Sequence, residues 1–188
     1  MAPKKGRRQN PAFSLCGLCC VLCLMCLGGY CPGCGGGEGR QPCAVIRCSR
    51  EHGEMEYCFS CAEFPCERLR EAARFDSFLP HRHMLQNLAR ARGMGVPAFQ
   101  AELAKGEKIL HTLLANYNDG RKKTFFCAAA ALLPLADLER GMEALCAQAA
   151  ASPALKEKAA CALRLFTAMA DMRQIDLRLH KRPKQEKK

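Results

Sequence analysis

Two hydrophobic patterns divide the chain, and they meet near Cys66. Downstream of it, apolar residues recur three and four positions apart, the period of a helix with one buried face. In "CERLREAARFDSFL" Leu69, Ala72, Ala73 and Phe75 share a side, and Glu67 sits in the first turn, where the helix dipole favours an acid. Pro80 is expected to open a second helix running through Arg92, with Met84, Leu85 and Leu88 inward and Gly93 and Gly95 ending it. Pro97 at the first helical position begins a third, apolar at Phe99, Leu103, Leu110, Leu113, Leu114 and Tyr117. "NYNDG" at 116–120 reads as a turn, and "RKKTFFCAAAALL" as a fourth helix closed by Pro134. A fifth then carries Leu135, Leu138, Met142, Leu145 and Ala149. Ser152 as cap and Pro153 behind it open a sixth, with Leu155, Ala159, Leu163, Phe166 and Met169 in period. The short connections predict antiparallel neighbours.

Upstream of Cys66 this period is lost. No charge appears from Phe13 to Gly37, 25 residues, which exceeds the ~20 needed to span a bilayer. Lys4, Lys5, Arg7 and Arg8 precede the stretch as they would a signal segment. Its content argues against insertion. Leu, Val, Met and Phe are few, Cys and Gly fill the rest, and "GGYCPGCGGG" breaks any helix before a spanning length is reached. No small-residue cleavage site follows, and "LGGYC" puts Tyr where a lipoprotein box needs a small side chain. The expectation is a segment that neither crosses a membrane nor is removed.

The cysteines change the picture most. Of 15 in 188 residues, twelve lie between Cys16 and Cys66, and only Cys127, Cys146 and Cys161 lie beyond. Such density is a site or a framework, not a scatter of small hydrophobes. Disulfides suit small secreted chains. Here, however, the pairs Cys20/Cys23, Cys31/Cys34 and Cys58/Cys61 are C-x-x-C, a spacing that bridges internally only with strain or redox activity. The same spacing wraps the backbone so that both sulfurs face one ion. Cys16/Cys20 adds C-x3-C, and Cys43/Cys48 and Cys61/Cys66 add C-x4-C. Four thiolates around Zn²⁺ are a common structural element, and [4Fe–4S] clusters take the same ligands. Cys16, Cys20 and Cys23 have the spacing of the radical-SAM cluster motif, but no repeated strand–helix pattern of a barrel accompanies them. Zinc is therefore the expected metal, with an iron–sulfur cluster in a redox or enzyme component as the alternative. A retained thiolate–ion bond implies a reducing compartment, hence the cytoplasm.

"CGLCCVLC", "CPGC", "CAVIRC" and "CFSCAEFPCERL", followed by "HRHMLQNLARARGMGVPAFQAE", resemble the cysteine-rich bacterial family called domain of unknown function 3795, over roughly residues 13–105. The resemblance implies a metal-binding domain with no established activity. Matched position by position, it implies as ligands Cys16, Cys20, Cys23, Cys34, Cys43, Cys48, Cys58, Cys61 and Cys66, together with Cys31. Cys19 and Cys26 are then extras, read as buried thiols. Ten ligands suit about two Cys₄ ions with two sulfurs over, and twelve would suit three. One partition puts Cys20, Cys23, Cys31 and Cys34 on one ion and Cys43, Cys48, Cys58 and Cys61 on another, and interleaved ligation is equally open. His52, inside the Cys-rich segment, is the histidine placed to substitute for a thiolate.

Net charge refines the choice of partner. Of the +11, residues 1–10 hold four positive charges, and 181–188 hold five positive and one negative, so +8 resides in the two ends. Such tails are usually solvated. The body is left near neutral once eight thiolates meet two divalent ions, which favours another protein as partner over nucleic acid. Asn118–Lys123 reads as an ordinary polar loop rather than an anion pocket, and His81 and His83 as surface or capping residues. Cys127, Cys146 and Cys161 fall on apolar helix faces as core thiols. There is no nucleophile elbow, phosphate loop or H-E-x-x-H, so nothing points to catalysis.

The expected architecture is mostly α: a basic disordered tail at 1–12, a small metal-stabilised Cys-rich module at 13–66 with short hairpins at its knuckles, an antiparallel helical bundle at 67–180, and a second disordered basic tail at 181–188. A head of that size is marginal on a hydrophobic core alone, so its ions are expected to organise it.

Overall fold

The structure is a computed structural model that describes residues 8–37, 43–148 and 154–183. It is mostly helical, and no strand occurs among the described residues. Eight helices follow in order: α1 (Leu24–Leu27), α2 (Ala44–Glu51), α3 (Glu67–Ala73), α4 (Met84–Met94), α5 (Val96–Asn116), α6 (Lys123–Leu132), α7 (Leu135–Gln148) and α8 (Leu155–Met172). Three-residue 3₁₀ turns occupy Cys20–Leu22 and Cys58–Ser60. Among the described residues no hairpin forms at the knuckles. Extended pairing is limited to one isolated bridge between Phe13 and Cys19, and the two C-x-x-C segments 20–23 and 58–61 close as 3₁₀ turns, whose tight i→i+3 bonds suit so short a span.

The helices begin and end for local reasons. α3 is shorter than its apolar pattern suggests, because Asp76 leaves helical conformation to serve its neighbours. Its carboxylate accepts the amides of His81 (2.6 Å) and His180 (2.7 Å). The Met84 amide closes a turn onto the His81 carbonyl at 2.9 Å, and α4 starts at Met84 rather than at Pro80. His81 is further tied by its ring to the Ala72 carbonyl and the Ser77 hydroxyl, both at 2.7 Å. Gly93 stays inside α4, and Gly95, at φ +88°, ends it. Such an angle is easy only for glycine. Pro97 lies in the first turn of α5, as its fixed φ favours. Asn118 accepts the amides of Gly120 and Lys122, and Asp119 accepts that of Arg121, so this loop spends its acceptors on its own backbone. The expected cap Ser152, with Pro153 and Ala149, lies outside the described residues.

α5 is the longest helix and packs against α4, α6 and α7, while α8 lies on α7 and α6. Phe99, Leu110, Leu113 and Tyr117 are buried along it. α6 is buried nearly all round, at Phe126, Cys127, Ala128, Ala129, Ala130 and Leu132, as expected for a helix with no polar face. From α8, Ala159, Ala162, Phe166 and Ala170 enter the core, whereas Leu155, although in period, is 48% exposed at the first turn.

The Cys-rich segment does not stand apart from this core. Phe13 (0% exposed), Leu15 and Leu22 (both 2%) are as buried as anything in the helices. The Phe13 ring lies 4.6 Å from that of Phe99 on α5 and 5.4 Å from that of Tyr57. One cluster of buried residues runs from Phe13 through Leu69, Leu88 and Leu113 to Ala170. The first 3₁₀ turn contacts α5 and α6, α1 contacts α6, and the second turn contacts α4. Residues read from the sequence as core-poor thus share the hydrophobic interior of the helices.

Both basic ends contribute contacts. Arg8, placed at first in a solvated tail, has a side chain only 9% exposed; it donates to the carbonyls of Phe13 (2.8 Å) and Glu56 (2.7 Å), pairs with the Glu56 carboxylate (3.0 Å), and lies over the Tyr57 ring. At the other end, Lys181 donates to the Ser77 carbonyl and lies over Phe78, and Arg182 lies over Phe75. Residues 1–7 and 184–188 of these tails lie outside the described residues.

Candidate metal centre

All fifteen cysteines are described, and no disulfide joins any of them. The uncharged stretch after Phe13 is a bridge, a 3₁₀ turn, a four-residue helix and glycine-rich loop. Among the described residues no helix is long and apolar enough to cross a membrane.

Four cysteines line one small cavity. Cys48 stands on α2, Cys58 opens the second 3₁₀ turn, Cys61 follows that turn, and Cys66 caps α3. Together they line a space of about 30 Å³, walled otherwise mainly by hydrophobic side chains such as Leu15, Val45, Phe64 and Leu69. That volume has room for a single water-sized occupant. Burial pushes the Cys58 thiol up to about 12, and the nearby sulfurs of Cys16, Cys66, Cys48 and Cys61 push the same way. Burial also raises Cys48; the Arg68 guanidinium opposes this, and Cys66, Glu51 and Cys61 add to it. His52 touches the rim, with Nδ1 3.7 Å from the Cys48 sulfur. The same Nδ1 is 2.9 Å from the Cys48 carbonyl oxygen, and Nε2 is 3.7 Å from Glu63. The ring thus finds partners at the end of α2.

Beside it lies a second neighbourhood of thiols. Cys16 is held up at about 11 by burial, opposed by Ser14, whose hydroxyl oxygen is 3.0 Å from the sulfur, and by the Leu18 amide; Cys34 and Cys43 raise it further. Burial raises Cys20 as well, followed by the sulfurs of Cys34 and Cys16, with the Cys34 amide opposing and Cys23 adding a little. The backbone arranges this group: the Cys34 amide donates to the Pro11 carbonyl at 3.2 Å, and Gly33, at φ +83°, approaches Pro11 too closely for any Cβ. α2 spans both neighbourhoods, with Cys43 capping its start and Cys48 five positions on. Cys58 and Cys16 feel one another across the gap.

The sulfurs left over do not scatter. Cys26 is raised by burial first, then by Cys23, Cys31 and Glu107. Cys127 on α6 is pushed up to about 12 by burial and then by Cys23, with Lys123 opposing. Cys19, by contrast, faces α4: its sulfur is 3.6 Å from the Asn87 amide nitrogen, and burial lifts it to about 12 against the pull of Arg90. It remains a core thiol, as expected. Cys146 is exposed and Cys161 half-buried, so of the three downstream cysteines only Cys127 lies in the core.

Cys66 joins Cys48, Cys58 and Cys61 in lining the cavity, and Cys23 neighbours Cys20 as well as Cys26 and Cys127. A local signal for Cys26 exists, since Cys23 and Cys26 are themselves C-x-x-C. No local signal marks Cys127. Among the described residues, no set of three or more His, Cys, Asp or Glu side chains meets the geometry of a metal site as the side chains stand.

The chain, mostly helical and cysteine-rich, was compared with family models, curated proteins and solved structures, and none of them matches it.

Proposed function

We propose that this is a metal-binding structural protein in which cysteine thiolates hold Zn²⁺ and fasten the N-terminal segment onto a helical bundle. The observation that carries the reading is the small apolar cavity faced by Cys48, Cys58, Cys61 and Cys66. The donor set fits: four soft sulfurs suit zinc, and hydrophobic walls keep water from competing. Cys16, Cys20, Cys34 and Cys43 form the second candidate set. Each ion requires its thiols to turn about χ1 and lose their protons, which favours uptake at higher pH. The resemblance to domain of unknown function 3795, and with it a bacterial source, belongs to the same reading, as does a reducing, cytoplasmic setting.

The partner of such a module is another protein. The near-neutral net charge of the body supports a protein over a phosphate backbone, and several of its cations are engaged in ion pairs, Arg82 with Asp76, Arg90 with Glu102, and Arg140 and Arg173 with Asp137.

The test is elemental analysis of protein purified anaerobically. A colourless protein carrying zinc supports the proposal. A brown protein carrying iron and sulfide replaces it with an iron–sulfur cluster on the same ligands. Metal-free protein that binds neither ion when loaded ends it.

A further inference from the structure

α5, α7 and α8 meet around a groove of about 400 Å³. Asn116 and Tyr117 line it from the end of α5, Leu145 and Cys146 from α7, and Cys161 and Arg164 from α8. Two of the three downstream cysteines thus share one groove while standing on different helices. Those helices touch directly. Phe166 of α8 lies over Gly141 of α7, so near that a Cβ at Gly141 would stand 2.5 Å from its ring. Six residues separate Gln148 from Leu155, too few to bring α8 back alongside α7 in any but the antiparallel sense. From the Gly141–Phe166 contact toward that connection, Cys146 and Cys161 are each five residues on (141 to 146, and 166 back to 161). They therefore stand at the same level, ~7.5 Å along the helix pair, and the groove opens to both. Cys146 is exposed and Cys161 half-buried. Tyr117, whose hydroxyl is raised first by burial, is raised further by both sulfurs.

We propose that Cys146 and Cys161 are a redox pair, which a hydroperoxide joins in a disulfide that ties the last turn of α7 to α8. The pair is independent of the candidate metal ligands, since neither cysteine belongs to them. The exposed Cys146 reacts first, as its thiolate. Its sulfur attacks a peroxide oxygen, an S–O bond forms, the O–O bond breaks, and the departing hydroxide takes up the thiol's proton as water. The Cys161 sulfur then attacks the Cys146 sulfur. The S–S bond forms, the S–O bond breaks, and a second water leaves with the Cys161 proton. Two thiols and one hydrogen peroxide thus give one disulfide and two waters, two electrons passing from sulfur to oxygen. Helices in contact hold their axes ~8–10 Å apart, and a glycine at the point of contact permits close approach. Rotation of both side chains about χ1, with the last turn of α7 drawn in, brings the Cβ atoms to the ~3.8 Å a disulfide needs. Cys127 is buried in the core, and the other twelve cysteines belong to the N-terminal segment, so Cys161 is the thiol that shares a groove with Cys146.

The experiment treats the full chain, purified anaerobically, with about one equivalent of hydrogen peroxide. Remaining thiols are then alkylated with iodoacetamide, and tryptic peptides are read by mass spectrometry. Cys146 and Cys161 fall in separate peptides, 141–156 and 159–164, each with a single cysteine. The expected product is these two peptides joined, lighter than their sum by two hydrogen atoms and parted again by dithiothreitol. Cys161→Ala should stop at the sulfenic acid of Cys146, trapped by dimedone, and Cys146→Ala should leave Cys161 alkylated. Alanine suits both helical positions, and the wild-type peptides give the answer even if a variant fails to fold. Cys146 trapped as sulfenic acid in wild type while Cys161 is alkylated overturns the pair. So does either cysteine joined to a different one, or both alkylated. The same yield of joined peptides from protein unfolded in concentrated urea also overturns it, because the fold would then contribute nothing to the pairing.

Discussion

The side-chain amide of Asn87 on α4 donates to the Gly17 carbonyl across 3.0 Å and fastens the start of the Cys-rich segment to the helices. The contact is possible because Gly17 has φ +95° and lies so near the Met84 carbonyl oxygen that a Cβ would overlap it. The glycine of "CGLCC" is therefore a docking residue between two parts of one core.

Replacing Gly17 with Ala should be strongly destabilising. The left-handed backbone alone costs more than ~1 kcal/mol, and the backbone oxygen opposite cannot swing away as a side chain could. Asn87→Ala, which removes one hydrogen bond, should cost about 1 kcal/mol. Urea denaturation followed by circular dichroism separates the two. Equal stability of Gly17→Ala and wild type would contradict the close approach.

Asp76 is the clamp for the C-terminal segment. Its side chain, 2% exposed, accepts the His81 and His180 amides and pairs with Arg82 at 3.7 Å, and its own amide donates to the His180 carbonyl at 2.8 Å. Asp76→Ala leaves two amides without their acceptor and should cost about 3 kcal/mol. Faster hydrogen exchange at His180 than at residues of α5 would report local release of the segment.

Acid should weaken the packing of α7 on α8 through Asp137. Hydrogen bonding from Arg173 holds its carboxyl below the usual range against the opposing effect of burial, with Arg140 also contributing. A carboxyl depressed in the folded state stabilises fully above its unfolded value of about 3.9, and that stability is lost as pH falls below it. Asp137→Asn should be less stable than wild type at neutral pH and show a flatter acid limb. Parallel acid limbs in the two proteins would remove Asp137 as the cause.

Alkali should distinguish metal-free from metal-loaded protein. Burial lifts the Cys16 thiol to about 11 and the Cys58 and Cys127 thiols to about 12. The metal-free fold keeps these protons when the unfolded chain, titrating near 8.5, has lost them. Its stability should therefore be complete below that value and fall as pH rises through 11 to 12. Zinc-loaded protein, already thiolate, should lose much less. Unfolding midpoints measured between neutral and strongly alkaline pH, with and without Zn²⁺, give the comparison.

Chelation should affect more than the Cys-rich segment. Phe13 and Leu22 share the core with Phe99 and Leu113, so loosening that segment should also lower the cooperativity of helix unfolding. A chelator titration that leaves the thermal transition of the helices unchanged would argue against a common core.

Much of the helical part was legible in the chain because its signals are local. The period of Phe99, Leu110 and Leu113, the proline opening α5, the glycine closing α4 and the turn at Asn118–Gly120 all act within a few residues of themselves. Helix limits were missed where a distant residue intervenes: α3 stops early because Asp76 bonds to His180, far away in sequence. The Cys-rich segment was legible as thiol chemistry and less so as packing. C-x-x-C spacing names pairs that can meet but is silent on which pairs share a neighbourhood, since this depends on where the folded chain carries α2 and the second 3₁₀ turn.

By itself, then, the sequence determined that the chain is mostly helical after Cys66, that its first third lacks a helical period, and that cysteine is concentrated there. These are properties of composition and short-range spacing. Only the tertiary structure decided that Phe13 and Leu22 belong to the helices' own interior, that Cys48, Cys58, Cys61 and Cys66 line one cavity, and that Cys127 is buried in the core. Each is a contact between segments far apart along the chain. Such contacts are set by which hydrophobic surfaces bury one another, and no local pattern encodes that choice.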